Sequence, residues 1–429
     1  MKRIPWFYGY TLVMYGFIVC FLAASFFLHA RGVFFPYWMS ELEVGRSELS
    51  LAVSLTLMSG SFIAPFLGYL IDRYKLRVII SCAAIWMASG YLLMQVVHTY
   101  WALMFVLIPF QGLAFPGIGP LVQTKLMVNW FVRHRGKAIG IAIMGMSVAG
   151  VLAPPINAWL AETLGWRSAY SLYAALLLGL VLPLTLLLVR QRPEDMGERA
   201  DGLPARGDNL SAEVIQGSDQ MPQMSEQSQE ERGLRTYKEI LSSKAFWSVV
   251  LTFGLMNGVY SAMATHLPAY VSTELEFTIA DGAWLLSFAA FFAIAGKIIF
   301  GWMMDNVAAK VAVIAGVVAY IGSTLVLMTG QSFPWLLLAT ALFGLGFGGM
   351  VPVRSVIISR LFGAAKFSRA NGLLSFFLAP AMLWVAITGY IADRADSYLP
   401  AFQIWCLAFV LAGCVSLIVK VPNQADAIA

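Results

Sequence analysis

The chain has 429 residues, of which 59% are hydrophobic and only 12% are charged. Soluble domains are roughly a quarter charged, so this composition excludes an ordinary soluble protein and indicates an integral membrane protein. The net charge of +5 is spread thinly over loops, which argues against a nucleic-acid-binding patch.

Apolar runs of about 20 residues, the length that crosses the hydrocarbon core of a bilayer, recur along the chain. Strand-type alternation is absent from the sequence, so we expect the spans to be helices. Twelve spans are predicted, at 8–30, 48–71, 77–97, 102–128, 136–160, 167–189, 246–272, 282–304, 309–329, 334–359, 368–391 and 400–420. The predicted fold class is an all-α integral membrane protein embedded in a lipid bilayer.

The distribution of Lys and Arg predicts which loops face the cytoplasm. With both termini inside, 22 of the 28 fall on cytoplasmic loops and ends, three lie outside and three lie within spans. The opposite orientation would invert this asymmetry. We therefore expect a multi-pass protein of the plasma (inner) membrane with both termini in the cytoplasm.

The spans fall into two groups of six. We expect an N-terminal bundle at 1–189, a partly flexible cytoplasmic connector at 190–245 and a C-terminal bundle at 246–429. Residues 40–43 (Ser-Glu-Leu-Glu) match 273–276 (Thr-Glu-Leu-Glu), and further matches keep an offset of 232 or 233 residues. This repeat predicts two pseudo-symmetric halves, with a substrate site between them near the midplane.

Sequence motifs of catalysis are missing. The chain has no Walker sequence and no His/Cys metal cluster. Glycines at 344–349 have the spacing of a dinucleotide-binding loop, but they lie in an apolar helix with no preceding strand. Close helix packing is the better interpretation. We predict no enzyme activity, no cofactor and no metal.

The loop between spans two and three carries a family motif. It is Gly68-Tyr-Leu-Ile-Asp72-Arg73-Tyr-Lys-Leu-Arg77, and the second half repeats its glycine and aspartate. With six plus six spans, the chain resembles the major facilitator superfamily. The resemblance implies alternating access, with the motif pairing acidic and basic groups when the cytoplasmic side is closed. It implies gating roles for Gly68, Asp72, Arg73, Arg77, Gly301 and Asp305. The alternative is that the basic residues only hold the loop inside.

Three further stretches resemble the monocarboxylate transporter and oxalate–formate antiporter branch. They are 32–36 (Gly-Val-Phe-Phe-Pro) followed by 46–48 (Arg-Ser-Glu), 129–140 between spans four and five, and 192–197 after span six. The branch resemblance implies a carrier of small carboxylates and does not select one.

Basic side chains fall inside the predicted spans, whereas acidic ones fall only at span ends or in loops. The basic ones are His29, Arg31, His266, Lys297 and Arg354. Embedded cations need a counter-charge or strong acceptors, and embedded ionisable groups mark functional sites by default. Because no span supplies a buried carboxylate, we predict that a bound anion is the partner.

Lys297 is the first candidate for the anion contact and Arg354 the second. Each lies about six residues, roughly 9 Å, from the cytoplasmic end of its span. The alternatives are that Lys297 extends to the inner interface and that Arg354 reaches cytoplasmic water. In the branch, a substrate-binding Arg stands in span eight at the position of Lys297, and animal-type members have an Asp where this chain has Ala293. The departure argues against proton symport through a carboxylate.

The remaining candidates have open alternatives. His29 stands near the position in span one where animal-type members of the branch have a lysine. It is a proton carrier or a neutral histidine that is hydrogen-bonded. Arg31 closes the outer side of the site or pairs with Glu41. His266 binds substrate or is a satisfied polar group. Asn257 and Tyr260 lie, with Ser261 and Thr265, near one face of span seven, which is a cavity wall or a hydrogen-bonded helix seam.

The sequence thus predicts a secondary transporter of small organic anions, such as lactate, pyruvate or small dicarboxylates. It would work by alternating access, as proton symport or anion exchange, with protons or a counter-anion as coupled partners. The alternative is a carrier of the same family for another amphipathic or neutral solute. A sensor would need a signalling domain, which the sequence does not show.

Overall fold

The computed structural model describes residues 7–131, 134–196, 237–330 and 332–418. In these ranges the regular structure is helical and contains no strand. Twelve of the described helices are long and apolar enough to cross a membrane, which confirms the predicted fold class. They are α1 Tyr8–Leu42, α2 Arg46–Ile71, α3 Leu76–Val96, α4 Tyr100–Trp130, α5 Gly136–Leu164, α6 Trp166–Leu188, α7 Lys244–Thr273, α8 Ile279–Met304, α9 Ala309–Thr329, α10 Phe333–Gly363, α11 Arg369–Ala395 and α12 Leu399–Leu417.

Helix α1 is longer than predicted because it is built from two pieces. The first is Tyr8–Phe27 and the second is Ala30–Leu42. The predicted end at residue 30 coincides with the break between them. The second piece continues because Phe34 and Trp38 are fully buried, so its apolar face is covered by protein and does not need lipid.

Prolines and glycines interrupt two other spans. Helix α4 contains a π-helical segment, Leu107–Gly112, and Pro109 and Pro116 lie in or just after it. Proline removes a backbone donor and disturbs the regular hydrogen-bond ladder. Helix α10 ends at Gly363, whose φ of 72° is left-handed, and the chain there turns directly into α11. Glycine allows such a φ at no steric cost.

Helices α8 and α10 pack at backbone distance. A Cβ placed on Gly344 would lie 2.0 Å from the Ala289 carbonyl oxygen, and one on Gly348 would lie 2.1 Å from the Ala293 carbonyl oxygen. Only glycine permits this approach. The packing interpretation of the glycine-rich stretch is confirmed.

The repeated four-residue stretches also share a backbone conformation. Glu43 and Glu276, which match in the two halves, both have a positive φ, of 51° and 58°. Residues 237–242 form a short helix before α7. Most of the predicted connector, 197–236, lies outside the described residues.

The alternating helices give the bundle two ends. The end that carries Arg73, Lys75 and Lys137 is called here the basic end. The end that carries Arg46 and Asp393 is called the opposite end.

Replacing Gly348 with alanine tests the packing of α8 on α10. The added methyl overlaps the Ala293 carbonyl, so we expect a loss of about 1–3 kcal/mol of stability and a lower Tm of the detergent-purified protein. Gly179→Ala is the control, because a Cβ there meets nothing within 4 Å. A Gly348→Ala protein as stable as this control would contradict the packing account.

Candidate substrate-binding site

The opposite end is closed by hydrogen bonds between the chain halves. The Asp393 carboxylate, at the end of α11, accepts hydrogen bonds from the Arg46 N–H at 3.1 Å and the Ser47 N–H at 2.7 Å. These two donors are free N–H groups at the start of α2, where a carboxylate is favoured. One acidic side chain of the C-terminal half therefore caps a helix of the N-terminal half.

His266 belongs to this closed end. Its Nδ1 lies 3.0 Å from the Tyr398 hydroxyl, and its Nε2 lies 3.0 Å from the Val385 carbonyl oxygen and 3.1 Å from Ser50 Oγ. Since a carbonyl only accepts, these partners assign the proton to Nε2 and let Nδ1 accept from the tyrosine. His266 is only 1% exposed, so the structure places it in the contact between the halves and not on an open surface.

The basic end is open where the opposite end is closed. Cβ atoms placed on Gly68, Gly140, Gly301 and Gly372 would meet no described neighbouring group within 4 Å. Arg73 donates to the Tyr69 hydroxyl at 2.7 Å, a contact within the same half.

Arg77 of the family motif likewise stays within its own half. Its Nε donates to the Val189 carbonyl oxygen at 3.2 Å. The side chains of Asp72 and Asp305 lie outside the described part of the structure. Among the described residues, the motif therefore makes contacts within the N-terminal half only, at the end that is open.

Lys297 bridges the two halves. Its Nζ, on α8, donates to Ser147 Oγ, on α5, at 2.6 Å. Helices α5 and α8 pack against each other, so the ammonium lies in their interface. Its observed partner is a neutral hydroxyl, which leaves the positive charge uncompensated.

The exposed part of Lys297 does not face lipid. Phe291, Ile298 and Trp302 are exposed apolar side chains on one face of α8, the face expected to contact acyl chains. Lys297 precedes Ile298, so it points about 100° away from that face, on the side where Ala293 and Met304 are buried. The exposure of Lys297 is therefore towards the space between the halves.

His29 lies close to Lys297 along the same interface. It stands at the break in α1, and a Cβ placed on Gly150 of α5 would lie 3.3 Å from its Cε1 and 2.9 Å from the Ala290 methyl of α8. Gly150 thus makes room for the ring. Ser147 and Gly150 are one turn apart on α5, so the structure brings His29 and the Lys297 contact together.

Arg354 lies on the neighbouring helix α10, slightly nearer the basic end. Gly296 of α8 packs on Gly348 of α10, and this register puts Arg354 about five residues, roughly 7.5 Å, beyond the level of Lys297. The Nε of Arg354 is buried and has no hydrogen-bond partner among the described residues. Its charge is also left without a described acid.

The polar face predicted on α7 divides into two kinds of contact. The Tyr260 ring stacks on Phe347 of α10, with ring centroids 3.5 Å apart. The hydroxyls of Ser261 and Thr265 donate to carbonyl oxygens four residues earlier in α7, those of Asn257 and Ser261. The Ser261 hydroxyl also donates to the Met382 sulfur of α11 at 3.4 Å, so one of these hydroxyls does make a contact between helices.

Arg31 points away from the interface between the halves. Gly32 approaches the Ala264 carbonyl of α7, whereas Arg31 shares a face with Phe34, which packs on Tyr170 of α6. Arg31 is 3% exposed and lies inside the N-terminal half.

The predicted alternative pairing of Arg31 with Glu41 is wrong. The Glu41 carboxylate instead accepts hydrogen bonds from Arg167 and, at 2.5 Å, from Trp166 Nε1. These partners lie at the start of α6, next to the end of α1, so Glu41 is occupied at the surface.

Sequence reasoning missed Ser147, Asp393 and Ser50. Ser147 lies in a glycine-rich span, where the sequence does not distinguish a serine that binds Lys297 from one that only packs against a neighbouring helix. Asp393 was recognisable only as an acid at the end of a span. Its role depends on the distance between α11 and α2, which no local pattern contains.

The structure also has a cavity away from this interface. It is a partly open pocket of about 320 Å³, a volume that includes adjoining solvent, in the C-terminal half near the basic end. Thr252, Lys310 and Ile357 are among the residues that line it. Lys310 donates to the Leu417 carbonyl oxygen at 3.0 Å. All of its lining residues belong to the C-terminal half, so this cavity does not lie at the interface between the halves.

Twelve spanning helices, closed between the halves at one end and open at the other, are typical of membrane transporters. The family model of the Major Facilitator Superfamily matches residues 13–306 and 270–423. The chain belongs to this superfamily and is a transporter of its fold.

Curated relatives are distant but extend over most of the chain. Monocarboxylate transporter 13 of Rattus norvegicus is 25% identical over 418 residues, covering 96% of this chain and 88% of the relative. The hexuronate transporter of Escherichia coli (strain K12) is 22% identical over 447 residues, covering 99% and 95%.

A solved structure shares the fold. It is a bacterial homolog of the human lysosomal transporter Spinster, in an inward-facing and occupied conformation. Its TM-score is 0.71 at 13% identity, with 97% of both chains covered.

Replacing Asp393 with alanine tests the closed end. Loss of the α2 cap costs about 1 kcal/mol, a change of roughly fivefold in the ratio of closed to open molecules. Spin labels at Ser40 and Ala395 in a cysteine-free protein report the distance between the halves. We expect Asp393→Ala to shift this distribution to longer distances.

The control for this measurement is Glu162→Ala, which removes an exposed acid from the same end. It should leave the distance distribution unchanged. Equal distributions in both variants would show that Asp393 does not hold the halves together.

Proposed function

We propose that this protein transports small organic anions, mono- or dicarboxylates, by alternating access, and that Lys297 contacts the carboxylate. The observation that carries the proposal is the position of Lys297. Its ammonium lies between the halves, away from the lipid face, and donates to the neutral Ser147 hydroxyl. The described spans hold acids only near their ends.

A carboxylate suits this position better than the serine does. A carboxylate oxygen carries the negative charge that a hydroxyl lacks, so its hydrogen bond with the ammonium adds a Coulomb attraction that Ser147 does not provide. A bound anion would replace Ser147 as the hydrogen-bond acceptor of the ammonium. It would also neutralise a charge that is costly to embed in the membrane. Ser147 then keeps the lysine in place while the site is empty.

Arg354 and His29 complete the proposed site. Arg354 lies about one to two turns nearer the basic end, on the helix packed against α8, so a second carboxylate or a hydroxyl of a longer substrate would reach it. Its planar guanidinium can hold a carboxylate through two parallel hydrogen bonds. His29 contacts the same interface from α1, and Asn257 and Tyr260 are the proposed wall on α7.

The relatives support an acidic substrate class. Monocarboxylates and hexuronates, the substrates in their names, are carboxylic acids. This similarity agrees with the chemistry of an ammonium site.

The proposed coupling is anion exchange or proton symport without a carboxylate relay. Ala293, four residues before Lys297, packs against Gly348 of α10, so that position serves helix packing and offers no acid. The proton in a symport cycle would travel on the substrate or on His29.

The basic end is proposed to face the cytoplasm of the cell, in the plasma (inner) membrane, with both termini on that side. Asp72, Arg73, Arg77 and Asp305, with Gly68 and Gly301, are the proposed gating residues there. Arg73 and Arg77 would exchange their present partners for contacts across the halves when this end closes.

Lys297→Gln tests the proposed site. Uptake of labelled lactate, pyruvate, formate, oxalate and glucuronate is measured in proteoliposomes. We expect at least one of these acids to be transported by the wild type. Losing a charged hydrogen bond costs about 1.5–3 kcal/mol, so Lys297→Gln should lose roughly tenfold or more in apparent affinity. Lys297→Arg should keep much of it.

Lys310→Gln is the matched control, since it removes a lysine bonded at the basic end, and its uptake should equal the wild type. Equal uptake by Lys297→Gln would exclude the proposed contact. Uptake of none of the acids, but of a neutral solute, would support the alternative carrier function.

The coupling mechanism has its own test. Wild-type vesicles are loaded with unlabelled substrate, or given an inward proton gradient, and the initial uptake rate is compared with that of vesicles lacking both. We expect stimulation by internal anion, by the proton gradient, or by both. A rate that responds to neither would contradict both forms of coupling and indicate passive uniport.

A further inference from the structure

A second cation lies inside the N-terminal half, away from the interface that holds Lys297. The Arg31 guanidinium stacks over the Phe27 ring, 4.1 Å from its centroid. Arg31 is 97% buried, since only 3% of its surface is exposed. Its Nη1 is buried and has no hydrogen-bond partner among the described residues.

Other buried polar groups around Arg31 are also unsatisfied. The hydroxyls of Tyr91 and Tyr170 and both side-chain polar atoms of Gln111 have no hydrogen-bond partner in the described structure. These three residues are fully buried. They come from α3, α6 and the π-helical segment of α4, and Arg31 comes from α1.

The four residues lie next to one another. The rings of Tyr91 and Tyr170 are 5.3 Å apart. Arg31 is near enough to both to interact electrostatically, and Gln111 is next to the Tyr170 hydroxyl. Orphaned buried polar atoms are rare, and each costs about 1–3 kcal/mol. Even with a hydrogen bond from Tyr170 to the Gln111 oxygen, the Arg31 guanidinium, the Tyr91 hydroxyl and the Gln111 amide nitrogen have no partner among the described residues, and together they indicate a missing ligand.

The charge of Arg31 determines what that ligand is. The acid nearest along α1, Glu41, is occupied by Arg167 and Trp166. A water molecule would satisfy donors but leave a buried positive charge uncompensated, which is costly. An anion would satisfy both requirements.

We propose that Arg31, Tyr91, Gln111 and Tyr170 bind a small inorganic anion of the size of chloride. The guanidinium supplies the charge, and the Tyr91 hydroxyl and the Gln111 amide nitrogen donate hydrogen bonds to the ion. The Tyr170 hydroxyl donates to the Gln111 oxygen, which turns the Gln111 nitrogen towards the ion. The ion would tie the broken helix α1 to three neighbouring helices.

This site is independent of the transported substrate. Arg31 and Gly32 point in different directions, and it is Gly32 that faces the other half of the chain, at Ala264. Failure of the transport proposal would leave the anion site untouched, because its test needs no transport.

The test measures thermal unfolding of the full-length purified protein by intrinsic fluorescence. Chloride or bromide is titrated into sodium sulfate buffer at constant ionic strength. Binding to the folded state raises Tm by mass action. We expect a saturable rise of about 2 °C or more that is absent from Arg31→Gln and reduced in the Tyr91→Phe, Tyr170→Phe double variant.

Arg394→Gln, which removes an exposed arginine from the end of α11, should keep the full rise. A rise that does not saturate, or that is equal in all four proteins, would be a general salt effect and would overturn the proposal. If Arg31→Gln does not fold, the double tyrosine variant still tests the proposal, because its rise in Tm with halide should be smaller than that of the wild type.

A crystallographic measurement on the wild type is the second readout. Crystals grown in sodium bromide should show an anomalous peak in contact with the Arg31 guanidinium. A peak found only elsewhere, or density for water alone at Arg31, would overturn the assignment.

Discussion

An embedded positive charge must be compensated, and this requirement shapes both halves of the molecule. Lys297, Arg354 and Arg31 lie within spans whose described acids are confined to their ends. A charge at membrane depth costs several kcal/mol unless it is paired or hydrated. The surroundings of these charges differ. Lys297 and Arg354 belong to the proposed transport site, whereas Arg31 belongs to the proposed structural anion site inside the N-terminal half.

Among the described residues, the hydrogen-bond partner of the Lys297 ammonium is a neutral hydroxyl that belongs to the other half of the protein. Ser147 and Lys297 face each other across α5 and α8, so a movement of the halves changes the distance between their polar atoms. A bound anion would replace the Lys297–Ser147 hydrogen bond, and the same hydrogen bond is stretched or broken when the halves move. Substrate binding and the closing of the basic end would then be coupled without an acidic relay.

Close contacts at the opposite end and space at the basic end define the observed state. Asp393 and His266 join the halves through hydrogen bonds to Arg46, Ser47 and Ser50. In the described part of the chain, nothing lies within 4 Å of a Cβ placed on Gly68 or Gly301 of the family motif. Arg31 takes no part in this asymmetry, because it is enclosed by helices of one half.

Much of the fold follows from patterns that are local in sequence. Apolar runs of spanning length predicted all twelve helices, and the glycine spacing in α10 was correctly attributed to packing. The predicted length of α1 was wrong because its second piece is covered by neighbouring helices, among them α5, α6 and α7, and not by lipid. Phe34 and Trp38 look the same in sequence whichever partner covers them.

The site was harder to predict because it depends on the direction in which each side chain points from its helix. The cations were visible as charges in apolar runs, but the break at His29 decides that Arg31 points inward while Gly32 faces the other half. The partners Ser147 and Asp393 are defined by contacts over 150 and 347 residues of chain. No periodicity or spacing carries such information.

The most direct measurement is an experimental structure of the protein with a transported carboxylate bound. We expect the carboxylate between the halves, within hydrogen-bond distance of Lys297 Nζ, with Ser147 displaced from its present role. A carboxylate bound elsewhere, with the Lys297–Ser147 hydrogen bond intact, would contradict the central claim.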